Sequence, residues 1–496
     1  MGIMAKKPID KNKVSGSENF ASDLNTQSRA SNHQNIKTSQ TEKRPIPYLP
    51  HTEQDRKEML DFLGIGSIED LLTTIPGELR NFDLNIPLGK SEIEIVKEFE
   101  KLSSKNISLN DQISFCGGGV YHRFIPSVVS EVLSKGDFYT AYTPYQPEVS
   151  QGTLQAIYEF QTLICNLTGM DVANASVYDS ATATIEAALM ACRITKRSKI
   201  LASKNINPEA IAVCKTYSWG ANLELELVDF KDGIVDLNDL SKKIDNNTAC
   251  LIISYPNFSG CIEPVSDLSG MIHKCGGLLI ASVDLISLSV LKSPKDLGID
   301  ILVGDGQALG NFPNYGGPHA GFVACLKDFT RQMPGRIVGL TKDVKGNRAF
   351  TLTLQTREQH IRREHATSNI CTNQSLNAMA VLVYLTYMGP YGLKVIAEIS
   401  ANRAHYLLSE LLKVSFKGDK KCKGAFNSPF FNEFVLEIPI TASEFIHKLT
   451  KKNILPGLDL NGIDGYKTNQ ILVSVTEMNS MEQINCFVDS VKEIFS

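Results

Sequence analysis

At 496 residues the chain exceeds what one hydrophobic core organises, so two or more domains are expected. Apolar residues make up 43% and charged residues 21%, the balance of a soluble globular protein, and a net charge of −4 gives no pull toward nucleic acid or an anionic membrane. The eleven cysteines form no CxxC pair, which argues against a zinc ribbon, a metal site or a thioredoxin-like pair and for unpaired thiols in a reducing cytosol.

Residues 1–45 are rich in Ser, Asn, Gln and Lys with one aromatic, Phe20, and are expected to form a disordered tail. The first residues carry no apolar stretch of signal-peptide type, so a cytoplasmic location is expected. Residues 46–111 read as a helical segment. Thr52 and Asp55, Ser67 and Asp70, and Ser91 and Glu94 each have capping-box spacing, and Gly64 is a stop. From 112 to 340 the rhythm becomes strand and helix. Strands are expected at Ile200 to Ala202, Glu224 to Val228, Ala249 to Ser254, Gly277 to Val283 and Ile299 to Val303, with helices over Ala181 to Thr195 and Leu237 to Ile244. Apolar strands alternating with helices imply a mainly parallel sheet covered on both faces. Residues 341–395 form a connection. Its uncharged run, strongly apolar from Ala378 to Met388, is too short to cross a bilayer and reads as a buried helix ended by Gly389-Pro390. Residues 396–496 read as a smaller α+β domain. Its strands are expected at Phe434 to Ile438 and Ile471 to Val475, its helices at Ala442 to Lys451 and Met481 to Phe495, and its last capping box at Asn479 and Glu482.

Asp284 follows the apolar strand Leu278 to Val283, the place where open α/β sheets bind ligands. A carboxylate there can pair with the protonated ring nitrogen of pyridoxal phosphate, or simply cap a loop. In pyridoxal-phosphate enzymes of the aspartate-aminotransferase fold, the Schiff-base lysine follows a strand some two dozen residues later. Gln307, 23 residues after Asp284, stands there, and an amide cannot form an imine. The stretch from Gly304 to Gly310 is spaced GxGxxxG, not as a dinucleotide fingerprint.

Five strings carry a family resemblance. They are Phe115-Cys116-Gly117-Gly118-Gly119 with Ile125-Pro126-Ser127-Val128-Val129; Thr140 to Gly152, read TAYTPYQPEVSQG; Asn174 to Ala183; Asp305-Gly306-Gln307 through Gly316-Gly317-Pro318; and Thr356 to Thr372. Over roughly residues 46–496 the chain resembles the alpha subunits of the split glycine cleavage system P-protein (glycine dehydrogenase (decarboxylating)). The resemblance implies an aspartate-aminotransferase-like large domain, of fold type I among pyridoxal-phosphate transferases, with a smaller C-terminal α+β domain. It implies glycine decarboxylation with release of CO2 and transfer of the aminomethyl group to the lipoyl group of H-protein. Pyridoxal 5'-phosphate is then held by a beta subunit, whose lysine precedes the proline of its Gly-Gly-Pro by eleven residues. Gln307 precedes Pro318 by the same interval. The implied partners are that beta subunit, in an alpha2-beta2 assembly, and lipoylated H-protein.

No residue of this chain alone is then expected to be catalytic. Tyr142, Tyr145, Gln146 and Glu148, on a loop stiffened by prolines, are candidates for the shared site or for an aromatic interface turn. His122 is a further candidate, with a structural role as its alternative. Tyr178, Asp179, Ser180, Asp284 and Gln307 would line a vestigial cofactor pocket, with N-capping as the simpler role of Asp179 or Ser180. Arg357, His360, Arg362, Arg363 and His365 form a basic cluster, although the family usually has Lys at the position of His365. The competing readings are a self-sufficient aminotransferase or desulfurase, which needs a competent lysine near 307, and a non-catalytic scaffold.

Overall fold

A computed structural model of the chain describes residues 50–80, 86–87, 89–370, 372–415 and 421–495. The tail expected over 1–45, the start expected at Ile46-Pro47 and Cys371 lie outside these. The chain divides into two units, residues 1–99 and 100–496.

In the first unit, Thr52 and Asp55 open α1 (Glu53–Leu63) with a reciprocal capping box, and Gly64 closes it at φ +68°, a conformation that favours a residue without Cβ. Ser67 N–H donates to Asp70 at 2.8 Å ahead of a 3-10 turn, Ile68–Leu72. Ser91 and Glu94 exchange the same pair of bonds at the start of α2 (Glu92–Ser103). Neither helix has a buried residue.

The second unit is built on a seven-stranded sheet. In chain order its elements are α3 (Gln151–Thr168), β1 (Val172–Ala173), α4 (Ser180–Thr195), β2 (Lys199–Ser203), α5 (Pro208–Gly220), β3 (Glu224–Val228), β4 (Thr248–Tyr255), α6 (Val265–Lys274), β5 (Leu278–Val283), β6 (Ile301–Asp305) and β7 (Gly321–Cys325). The strand order is β1-β7-β6-β5-β4-β2-β3. Only the pairings of β7 with β6 and of β1 with β7 are antiparallel. Successive side chains leave a strand on opposite faces. Leu201, Leu251, Leu279 and Leu302 therefore enter one core with α3 and α6, while Ile200, Ile252, Ile280 and Ile301 enter another with α4 and α5. Both faces are covered, which is why these strands read as unbroken apolar runs. The expected strand Ile299 to Val303 begins two residues later than read, at Ile301, and ends at Asp305.

A hairpin of β8 (Ile337–Lys342) and β9 (Arg348–Thr353), which the sequence reading did not assign, packs on α3. Helix α7 (Ser375–Leu411) breaks at Gly389, at φ +60° and ψ 180°, and Pro390 starts its second arm. The first arm closes the sheet core with Ala378 to Leu385. The second arm gives Ala404, Leu407 and Leu411 to the core of the C-terminal layer. Among the described residues α7 is the one helix long and apolar enough to span a membrane; fourteen of its residues are buried, so it is a core helix. The layer it joins is a four-stranded antiparallel sheet, order β10-β11-β13-β12, made of β10 (Lys423–Gly424), β11 (Glu433–Glu437), β12 (Leu458–Asp459) and β13 (Gln470–Ser474). Helices α8 (Ala442–Thr450) and α9 (Met481–Phe495) cover it. The last capping box is formed by Ser480 and Gln483, one residue beyond Asn479 and Glu482: Ser480 N–H donates to Gln483 at 3.1 Å and Gln483 N–H to Ser480 at 3.2 Å. Asn479 instead donates to the Ser114 carbonyl at 2.8 Å, binding the C-terminal layer to the chain entering the large sheet.

Candidate functional site

A cavity of about 670 Å³ lies beyond the carboxyl ends of β4, β5 and β6, between the large sheet and the C-terminal layer. The volume suits a small organic ligand. Its lining brings together Asp179, Ser180, Asp284 and Gln307 of the expected pocket, and adds Tyr121, His319 and Glu433, which the sequence reading did not single out.

Gln307 sits two residues after β6 and is 1% exposed. Its amide is fully engaged. The oxygen accepts from Tyr121 N–H at 2.8 Å, and the nitrogen donates to the carbonyls of Tyr121 at 3.0 Å and Asn311 at 2.9 Å. A buried amide with three partners is a structural clamp, holding the glycine loop against β6. Gly306 before it tolerates no side chain, because a Cβ would lie 2.5 Å from Val381.

The loop Gly117–Gly119 forms one wall. A Cβ at Gly117 would lie 2.2 Å from the Glu433 carboxylate. Gly118 and Gly119 have φ of +75° and +115°. This close approach lets Glu433 accept from Gly118 N–H at 2.8 Å and from the Tyr121 hydroxyl at 2.8 Å. Burial pushes the Glu433 carboxyl up to about 7, and burial beside Glu433 holds the Tyr121 phenol well above its ordinary value. Next along the loop, the buried Arg123 pairs with Glu477 at 2.7 Å and donates to Ser400 at 2.8 Å.

Asp284 lines the cavity and also caps its own turn, accepting from Ile286 N–H at 2.8 Å. Asp305 receives Ser180 N–H at 3.2 Å and His319 Nδ1 at 3.0 Å, and this bond raises the imidazole's affinity for a proton. Asp179 caps α4 through Thr182 N–H at 2.7 Å. Tyr178, half-buried, packs against the core that holds α4 and is not among the cavity's lining. His122 lines a separate, smaller cavity of about 140 Å³ with Cys116, Met478 and Gln483.

Pyridoxal phosphate makes three demands of such a cavity, and one is met. Asp284 can face a pyridinium. The amine is missing at Gln307. A dianionic phosphate at the start of α4 would meet Asp305 and Asp179, whose carboxylates already take the Ser180 and Thr182 amides. The cavity is lined by Asp179, Glu209, Asp284, Asp305, Glu433 and Asp459, and among the described residues by no Lys or Arg. These residues do not fit the cofactor.

The two longest strings of the resemblance meet elsewhere. Arg336, buried, donates to the Tyr145 hydroxyl at 2.8 Å, stands 5.1 Å over its ring, and pairs with Glu358 at 3.4 Å. His360 meets Tyr145 edge-on at 6.4 Å. Tyr142 is 75% and Tyr145 45% exposed, and Gln146 and Glu148 are exposed as well. None of these residues lines the cavity. Of the basic cluster, Arg357 is spent on the carbonyls of Met333, Gly335 and Leu354. His365 stands 3.5 Å from Glu364, both exposed.

The sequence model of the glycine cleavage system P-protein matches residues 46–491. A curated relative from Carboxydothermus hydrogenoformans, "Probable glycine dehydrogenase (decarboxylating) subunit 1", is 48% identical over 90% of this chain and 99% of its own length. The crystal structure of a glycine decarboxylase (P-protein) of the glycine cleavage system, in inhibitor-bound form, superposes with a TM-score of 0.83 at 39% identity, over 90% of this chain and 99% of that one. A NifS-like protein, 15% identical with a TM-score of 0.56 over 77% of this chain and 99% of its own, shares the fold alone. With its mainly parallel sheet, its cavity lined by Gln307 and this match over nine-tenths of its length, the chain belongs to the glycine cleavage system P-protein family.

Proposed function

We propose that this chain is the lysine-less subunit of a two-chain glycine decarboxylase. In this reading the enzyme releases CO2 from glycine and passes the aminomethyl group to the lipoyl group of H-protein, and pyridoxal phosphate is held by a beta subunit. Gln307 carries the proposal. Its amide stands at the lysine position and all its hydrogen bonds are spent inside the chain. A protein of this family with that clamp draws its reactive amine from another polypeptide.

The chain's own contribution is positioning. Arg336 fixes Tyr145 on the surface that also carries Tyr142, Gln146 and Glu148, and this surface is offered to the partner's site, where a second subunit helps exclude water from the decarboxylating centre. We place domain borders near residues 112, 340 and 395, an alpha2-beta2 assembly in solution, and the complex in the cytoplasm.

The test compares each purified subunit with the reconstituted pair in glycine–bicarbonate exchange and in H-protein aminomethylation. The pair is expected to be active and each subunit alone inactive, and the vitamin's absorbance is expected with the beta subunit only. Covalent cofactor on this chain, or full activity of the beta subunit alone, overturns the proposal.

A further inference from the structure

The cavity beyond β4, β5 and β6 has a charge pattern that the decarboxylase reading does not use. Its carboxylates come from both walls. Asp179, Asp284 and Asp305 belong to the large sheet and its turns, Glu433 and Asp459 to the C-terminal layer. Among the described residues no Lys or Arg lines the cavity to answer them. Asp179, Asp284 and Asp459 each spend one oxygen on an amide of their own turn, at 2.7, 2.8 and 2.8 Å. The second oxygen of each has no partner among the described residues. A cleft with low-dielectric walls and one sign of charge concentrates ligands of the opposite sign.

A second feature points the same way and does not depend on the carboxylates' number. His319 lines the cavity and is 8% exposed. Its Nδ1 is bound to Asp305 at 3.0 Å, and its Nε2 is buried with no partner. A neutral ring that donates through Nδ1 presents Nε2 as an acceptor, and burying an unmet acceptor is unfavourable. An ammonium group, which only donates, is its match.

The pattern selects an organic cation. Among the described residues no three carboxylates, imidazoles or thiols are grouped so as to hold a metal ion. The charges stand on separate elements, and Ile206, Ala210, Val213 and Leu458 line the same space. Such a surface fits a chain whose ammonium groups are separated by methylenes. The volume of about 670 Å³ admits a chain of several carbons.

We propose that this cavity binds a linear aliphatic diamine or polyamine, whose ammonium groups are taken by Asp284, Asp459 and His319. The site lies within one chain and does not rest on the two-chain reading. A ligand reaching from Asp284 to Asp459 ties the large sheet to the C-terminal layer, so a melting shift reports it.

The test is calorimetric titration of the full-length chain with putrescine and spermidine, with butylamine and magnesium chloride as controls. Both polyamines are expected to bind about 10-fold or more tightly than butylamine, the gain from a second charge-assisted hydrogen bond. At a hundred times Kd they are expected to raise the melting midpoint by about 3 °C. Asp284→Asn and His319→Gln are each expected to weaken binding about 10-fold, with circular dichroism to check folding. Asp459→Asn, on the other wall, serves where Asp284→Asn does not fold. Binding is expected to tighten between about pH 6 and pH 8. There an ammonium replaces the proton of His319, faced by Asp305, Asp179 and Glu209, and that of Glu433, faced by Tyr121, Asp284 and Arg123. Binding that magnesium abolishes is diffuse surface attraction, and binding that every variant leaves unchanged lies elsewhere; either result overturns the proposal. So does an affinity that weakens with rising pH, or no binding at millimolar polyamine.

Discussion

The cavity and the Tyr145–Arg336 surface both draw on the family's signature strings, yet their hydrogen bonds run in opposite directions. In the cavity, Gln307, Glu433 and Asp305 are turned inward, each hydrogen-bonded to the chain's own backbone. At the surface, Arg336 is the buried part and the tyrosine it holds faces outward. The contrast separates two kinds of polar residue: those lining the cavity tie the chain to itself, while Tyr145 faces outward from a buried support.

The harshest way to break the inward-turned side is Arg123→Ala. It leaves the Glu477 carboxylate, whose side chain is 9% exposed, without its cation, and should cost about 3–5 kcal/mol of stability in urea melts, as removal of one member of a buried ion pair does. Next is Glu433→Gln, read as a function of pH. The folded carboxyl titrates at about 7, against an ordinary value of 4.5. The native state therefore holds this proton more tightly than the unfolded chain. The associated stability is complete below 4.5 and is lost as pH rises through 7. Between these limits the wild type should lose on the order of 2–3 kcal/mol relative to Glu433→Gln, and the difference between their urea midpoints at pH 5 and pH 8 measures it.

Gln307→Lys tests the cavity directly. The variant should lose about 1–3 kcal/mol, because Tyr121 N–H loses its acceptor, and should still retain no pyridoxal phosphate after dialysis, because Asp305 and Asp179 occupy the phosphate's place. Retained absorbance of the vitamin would show that the amine alone was lacking. The smallest effect belongs to the outward-turned side. Tyr145→Phe removes the hydroxyl that Arg336 reaches and should change stability by about 1 kcal/mol or less, while lowering the exchange activity of the reconstituted pair. Unchanged activity would remove Tyr145 from the shared site.

Local features were legible in the sequence because local physics makes them. Glu224 to Val228 is a strand as read, Gly389-Pro390 breaks its helix, and Thr52 with Asp55 opens another. Errors arose where two local patterns compete. Asn479–Glu482 and Ser480–Gln483 both have the box spacing, and Asn479 is claimed by the distant Ser114 carbonyl. The β8–β9 hairpin is hard to read because β8 runs from buried Ile337 and Val338 to exposed Leu340, Thr341 and Lys342 with no alternation, and only β9 alternates, through Phe350 and Leu352. In the site, Gln307 and Asp284 were found from their distance to a strand end. Glu433 was not, because its partner Gly118 lies 315 residues away and no short-range pattern joins them. Arg336, unremarkable in its own stretch, acquires its role only when the fold delivers Tyr145 and Glu358 to it.

The saturated amide of Gln307 has a metabolic corollary. A ligand that binds only the native state adds to its stability in proportion to its supply. On the proposed two-chain reading this polypeptide holds no cofactor of its own, so it gains nothing from that supply and loses nothing without it. Its abundance in the cell should be indifferent to vitamin B6 starvation, leaving a reserve of ready-folded halves for whichever partners are loaded next.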